Sequence, residues 1–142
     1  MVVNYSLKKD GDKKLTENFL IREFRCRDGA DEIFIDKKLV DVLQKYRSFI
    51  GKPVVVTSGY RTESHNKAVG GAKGSYHLLG RAIDFYVKGV NARDIAKWMF
   101  SMGVNGIGLY INRDQEFVHI DSRSGKYHWI QDGSNHIKVS HF

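Results

Sequence analysis

Three residues with metal-binding side chains lie in two short stretches of the sequence. His77 and Asp84 flank Gly80 in SYHLLGRAID, residues 75–84, and His119 lies in the later stretch EFVHID. A catalytic zinc site typically has three protein ligands from histidine and carboxylate side chains and one position open for water. These residues can supply that set, although their spacing alone does not separate a metal site from ordinary polar residues.

Strand periodicity supports a common position for two of these side chains. In the stretch RAIDFYV, alternation places Asp84 on the face opposite its apolar neighbours. In FVHID, the same alternation directs His119 away from the adjacent valine and isoleucine. Two neighbouring strands can therefore direct Asp84 and His119 to one point, and the loop before Gly80 can bring His77 over it.

Helices are predicted on both sides of the first metal-binding stretch. The clearest one begins after Asp36, an N-cap residue, has apolar residues at helical spacing, and ends at Gly51. Another begins after Asn91 and ends at Gly103. A short helical turn is also expected after Thr16, whose hydroxyl can act as its cap.

Most of the predicted strands follow the predicted helices. KPVVVTSG has the β-branched residues of a buried strand, GIGLYI and FVHID predict a hairpin around NRDQ, and YHWIQ predicts a further strand. We therefore predict an α+β fold: a small antiparallel sheet with helices packed on one face and loops over the other. Residues 1–15 are expected to form a loose N-terminal lead-in, and residues 16–142 a single domain.

Composition restricts the classes of protein to which the chain can belong. The 142 residues are 42% hydrophobic and suffice for one domain with a core. Cys26 is the only cysteine, which excludes a disulfide framework and a cysteine-rich zinc knuckle. No apolar run reaches the roughly 20 residues of a membrane span, and the polar first residues contain no signal core.

The net charge of +7 has two interpretations. One is an ordinary solvated basic surface, and the other is attraction to a polyanion such as nucleic acid or an anionic cell wall. The basic residues are scattered, and no nucleic-acid-binding motif accompanies them. We therefore expect no nucleic-acid partner, and a basic nucleic-acid-binding protein is the third alternative for the function.

The order of the motifs resembles the zinc D-alanyl-D-alanine carboxypeptidase family of peptidoglycan peptidases. The similarity covers SGYRTESHNKAVGGAKGSYHLLGRAIDFYV, GIGLY and FVHIDSR, and extends from about Glu23 to Trp129. The residues that match the family pattern are Ser75, His77, Gly80, Ala82, Asp84, His119 and Asp121. The resemblance implies the fold shared with the hedgehog zinc domain, and one zinc ion per chain bound by His77, Asp84 and His119.

The same resemblance implies roles for further residues. Glu116 matches the family's general base, and Arg61 matches an arginine near the scissile carbonyl. Ser75 and Trp129 are implied to contact substrate, together with Arg61. Strand alternation, however, places Glu116 on the face opposite His119, so an ordinary acid in a hairpin turn is the alternative for Glu116. Local capping of the loop is the alternative for Ser75, and an aromatic residue of the core is the alternative for Trp129.

The function implied is that of a zinc metallopeptidase that hydrolyses peptide bonds in peptidoglycan stem peptides. The motifs do not distinguish a D-Ala-D-Ala carboxypeptidase from a murein endopeptidase. A non-catalytic zinc-binding module on the same fold is the alternative function. We expect a monomer that is cytoplasmic as synthesised and acts on the cell wall if released, as a phage or prophage lysin does.

Overall fold

The computed structural model describes residues 1–142, which form eight strands, four α-helices and two 3-10 helices. The strands are β1 (Val2–Ser6), β2 (Glu32–Asp36), β3 (Val55–Ser58), β4 (Ala82–Tyr86), β5 (Gly106–Ile111), β6 (Phe117–Asp121), β7 (Tyr127–Asp132) and β8 (Asn135–Lys138). The helices are α1 (Leu7–Asp10), α2 (Lys37–Ile50), α3 (Glu63–Ala68) and α4 (Ala92–Ser101), with 3-10 helices at Ile21–Phe24 and Tyr76–Leu79. None of these helices combines the length and the apolar character that crossing a membrane demands.

The strands form two sheets. β1 and β2 make a small antiparallel pair, and the other six strands form a larger sheet in the order β3-β4-β6-β5-β7-β8. Neighbouring strands in the larger sheet are antiparallel except β5 and β7, which are parallel. The predicted α+β class is confirmed, and the predicted hairpin corresponds to β5 and β6.

The N-terminal segment is ordered, so the expectation of a loose lead-in over residues 1–15 is wrong. Val2–Ser6 pairs antiparallel with Glu32–Asp36, and Ser6 caps α1 by accepting a hydrogen bond from the backbone N–H of Lys9. Tyr5 packs against the main core. The short apolar alternation of this strand lies among many charged residues, and its partner strand is distant in sequence, so composition gave no indication of the pairing.

Both predicted helices are confirmed. The Asp36 carboxylate accepts from the N–H of Lys38 at 3.1 Å, and α2 ends at Gly51 in the left-handed region, with φ +65°. The side chain of Asn91 caps α4 in the same way. The predicted cap at Thr16 is wrong, because its hydroxyl donates to the side-chain oxygen of Gln44 at 2.7 Å and caps no helix.

The larger sheet separates the core from the candidate site. Buried side chains of α2 and α4 belong to one apolar cluster with alternate residues of the central strands. The residues of β4, β5 and β6 in this cluster are Ile83, Phe85, Ile107, Leu109, Val118 and Ile120. Because strand side chains alternate, the intervening residues face the opposite side of the sheet. Helix packing on one face therefore leaves the other face available for polar residues.

Two glycines of β5 make room on the polar face of the sheet. Gly106 lies opposite Asp121 of β6, and Gly108 lies between His119 of β6 and Trp129 of β7. A Cβ atom at Gly106 would overlap the carboxylate of Asp121, and one at Gly108 would lie 2.5 Å from the ring of Trp129. These glycines allow large side chains of the neighbouring strands to lie flat over β5.

Replacing Gly106 with alanine is expected to lower the free energy of unfolding by roughly 1–3 kcal/mol, as overpacking in a filled interior does. The carboxylate of Asp121 is fully buried and cannot move aside. Chemical denaturation measures the change. Gly74→Ala is the matched control, because an added methyl group there meets no atom within 4 Å. Equal stability of the two variants would contradict this account of β5.

Candidate metal centre

Three side chains converge on the polar face of the sheet. One ligand atom each from His77, Asp84 and His119 lies within 4.8 Å of the others, and all three residues are buried. Asp84 and His119 are direct cross-strand partners on β4 and β6. The distance from Asp84 Oδ1 is 2.8 Å to His119 Nδ1 and 3.2 Å to His77 Nε2. The predicted convergence of the three residues is therefore present in the structure.

Local backbone structure fixes the orientation of His77. It lies in the 3-10 helix Tyr76–Leu79, which Ser75 caps and which ends at Gly80 with φ +70°. The Nδ1 atom of His77 donates to the carbonyl oxygen of Gly59 at 2.7 Å. That bond fixes the tautomer, so the lone pair of Nε2 faces the cluster. Nε2 is buried and has no hydrogen-bond partner, as expected of a nitrogen that binds a ligand.

His119 is held from both sides by carboxylates. Its Nδ1 faces Asp84 at 2.8 Å, and its Nε2 faces Asp121 Oδ2 at 2.7 Å. Burial lowers the pKa of His119, but the hydrogen bonds to Asp121 and Asp84 outweigh burial and raise that pKa to about 9. Asp121 is itself fixed by Arg123, whose guanidinium donates two bonds of 2.7 Å to its carboxylate. Asp121 therefore orients His119 through Nε2 and leaves Nδ1 directed at the cluster.

Arg61 holds Asp84 from the loop side. Its Nη2 lies 3.4 Å from Asp84 Oδ2, while Nε donates to Ser58 and Nη1 to the side-chain oxygen of Asn66. Burial raises the pKa of Asp84, but the neighbouring imidazoles of His77 and His119 outweigh burial and hold that pKa well below its usual range. Asp84 is therefore an ionised carboxylate in a buried position, suited to bind a cation.

The cluster lies in a cleft of about 620 Å³. The glycine-rich loop before His77 forms one wall of this cleft, and aromatic residues of β5, β6 and β7 form the other. Trp129 belongs to the aromatic wall, with its ring 5.2 Å from that of His119. The indole Nε1 of Trp129 is buried and has no hydrogen-bond partner. A buried donor without a partner is a candidate contact for a carbonyl oxygen of a ligand.

The three predicted substrate contacts lie in the cleft, whereas the predicted base does not. Arg61, Ser75 and Trp129 all line the cleft. Ser75 also accepts from the N–H of His77 at 3.2 Å, so the capping alternative describes one of its contacts. The structure thus brings these three residues to the metal-binding cluster.

Glu116 does not line the cleft, so its expected position beside the cluster is wrong. It is exposed in the turn before β6, where its carboxylate accepts from the N–H of Asn112 at 3.2 Å. Glu116 precedes the first residue of β6, and its side chain remains in the hairpin turn. Asp84 is the only carboxylate that lines the cleft.

Several residues of the cleft were not identified from the sequence. They include Tyr110, Arg113, Phe117 and Arg123. Phe117 has the same strand parity as His119, and Tyr110 is its cross-strand partner, so alternation combined with the hairpin register contained the signal for both. The positions of the two arginines depend on loop conformation, for which the sequence has no periodic signal.

Comparison with known proteins finds relatives that match most of this chain. The chain is 37% identical over 119 residues to the peptidoglycan L,D-endopeptidase MepK of Escherichia coli K12. The match covers 79% of this chain. The Shigella flexneri protein of the same name has the same identity and coverage. A probable MepK of Haemophilus influenzae is 35% identical over 74 residues, which are 49% of this chain and 39% of that protein.

The chain spans about 62% of the length of the Escherichia coli and Shigella relatives. The family model described as Peptidase M15 matches residues 13–121, a range that contains the whole metal-binding cluster and the arginine that holds Asp84. On that match, the chain belongs to the Peptidase M15 family.

Proposed function

We propose that the chain is a zinc-dependent peptidase that hydrolyses peptide bonds in peptidoglycan stem peptides. The observation that carries this proposal is the convergence of two imidazole nitrogens and one ionised carboxylate at the base of an open cleft. We further propose the L,D-endopeptidase type of cleavage, because the relatives with the highest identity given above are named for that activity. The D-Ala-D-Ala carboxypeptidase type is the alternative.

The donor set fits zinc. Two histidines and one carboxylate are a usual ligand set for a catalytic zinc ion, and the unpartnered Nε2 of His77 supplies one of the required lone pairs. His119 would bind through Nδ1, since Asp121 holds its other nitrogen. When bound in such a site, zinc lowers the pKa of a coordinated water toward about 7 and polarises a carbonyl group.

The chain's own residues can then bind and orient the peptide. Three of the five N–H groups of the Arg61 guanidinium are used by Ser58, Asn66 and Asp84, which leaves one N–H on each terminal nitrogen. Those two groups can donate to a substrate carbonyl oxygen as charge develops on it. On the opposite wall, Nε1 of Trp129 can donate to another carbonyl oxygen of the peptide.

The purified protein is expected to bind about one zinc ion per chain, because its three ligand side chains form a single cluster. Each of the three single variants His77→Ala, Asp84→Ala and His119→Ala should bind zinc at least tenfold more weakly. Metal analysis after dialysis and titration with a competing chelator measure the affinity.

The matched control for zinc binding is His136→Ala. His136 is exposed on β8, where it bonds to Tyr127 and Gln131 and lies outside the cluster. This variant should retain full zinc affinity. Equal losses in all four variants would contradict the assignment of ligands, and absence of zinc binding in the unmodified protein would overturn the proposed zinc dependence.

Digestion of defined muropeptides is expected to release products whose masses correspond to cleavage of an L,D bond within the stem. Mass spectrometry identifies the bond. Release of a terminal D-alanine alone would replace the endopeptidase by the carboxypeptidase type. A protein that binds zinc tightly yet cleaves no muropeptide would be the non-catalytic zinc-binding module instead. The zinc-free His119→Ala variant controls for contaminating hydrolases.

Glu116→Gln is expected to retain activity within about twofold, because the carboxylate lies outside the cleft. Arg61→Gln is the comparison variant, and it should lose activity by roughly a hundredfold or more, as loss of a donor to a developing oxyanion does. Turnover number and zinc content are measured for both variants. A hundredfold loss in Glu116→Gln with zinc retained would restore Glu116 as the general base.

A further inference from the structure

Three arginines line the cleft, and two of them are engaged by carboxylates of the chain. Arg61 pairs with Asp84, and Arg123 pairs with Asp121. The third, Arg113, forms no salt bridge and no hydrogen bond through its side chain, and it is exposed. Its positive charge is therefore available to a molecule that enters the cleft.

Two aromatic rings hold the guanidinium of Arg113 at this position. Its central carbon lies 5.0 Å from the ring centre of Phe117 and 5.5 Å from that of Tyr110. The two rings stack on each other at 4.5 Å, with an interplanar angle of 10°. Contact with aromatic rings restrains a guanidinium. Its N–H groups stay free to donate in the plane of the guanidinium itself. Arg113 is thus a restrained cation with unused donors.

The strand register fixes how far Arg113 is from the metal-binding cluster. Phe117 is two residues from His119 on the same face of β6, a separation of about 7 Å. The central guanidinium carbon of Arg113 is a further 5.0 Å from the ring centre of Phe117. An extended peptide rises about 3.3 Å per residue, so a group bound by Arg113 is roughly two to four residues from a peptide bond at the cluster.

We infer that Arg113, supported by Tyr110 and Phe117, is a carboxylate-binding subsite that selects substrates with a free carboxylate two to four residues from the cleaved bond. This inference rests on the proposed function, because it locates the subsite relative to a peptide bond at His77, Asp84 and His119. A guanidinium binds a carboxylate through two parallel N–H donors, whereas an amide offers only one acceptor oxygen. Amidation of that carboxylate should therefore weaken binding.

The test uses two synthetic stem peptides that differ only in a free or amidated carboxylate at that distance. The zinc-loaded protein should bind the free acid about tenfold more tightly and show a similar ratio in kcat/KM, in line with a charge-assisted pair. Arg113→Gln should reduce both ratios to near one by weakening only the free acid. Equilibrium binding is measured by fluorescence anisotropy of labelled peptides whose cleavable bond is replaced by a reduced amide, and cleavage of the unmodified peptides is measured by chromatography.

Lys126→Gln is the matched control, because it removes the same charge from an exposed position outside the cleft. It should leave the tenfold ratio unchanged. A ratio near one in the unmodified protein, or a ratio that persists in Arg113→Gln, would overturn the subsite. Because binding is measured separately, failure to cleave either peptide would count against the proposed peptidase, while the binding ratio would still decide the role of Arg113.

Discussion

The candidate site depends on one cross-strand pair, Asp84 on β4 and His119 on β6. The two residues are direct partners in the register, and their neighbours on the same strands fill the core on the opposite face. A shift of one residue in this register would turn one of the two strands over and bury its polar side chain among the helices, which is energetically costly. The hydrophobic core therefore fixes the position of two ligands, and only His77 must be supplied from outside the sheet.

The surrounding structure holds each of these polar side chains in one orientation. Asp121 is available to orient His119 because β5 has a glycine, Gly106, beneath its carboxylate. His77 has one possible orientation because its Nδ1 donates to the carbonyl of Gly59. Each ligand is thus fixed by a contact on its far side, and such outer contacts determine which nitrogen remains available for a metal ion.

Periodic features of the sequence predicted much of this arrangement. Strand alternation placed Asp84 and His119 on a shared face, and cap residues located both long helices. Non-local features were missed: the pairing of β1 with β2, the parallel pairing of β5 with β7, and the use of Gly106 to accommodate Asp121. Each of these depends on which segments become neighbours, and no local pattern within a segment encodes that information.

Glu116 shows where resemblance and local physics gave different answers. The family resemblance implied a base, while strand alternation implied a residue facing away from the site, and the structure agrees with alternation. A position in a motif carries a role only where the backbone presents the side chain to the site. For Glu116 the hairpin turn sets that direction, and its carboxylate is already used by the N–H of Asn112.

The distribution of charge explains how the sheet can bury a carboxylate on each side of His119. Asp84 and Asp121 share the imidazole of His119, and each has its own arginine from a loop. Buried charges are tolerated when they are paired and hydrogen-bonded in this way. The strands supply the two acids, and the loops supply one arginine for each of them. Arg113 has no acidic partner of its own. The cleft therefore presents a positive group to solvent above a neutralised floor, an arrangement that favours an anionic substrate.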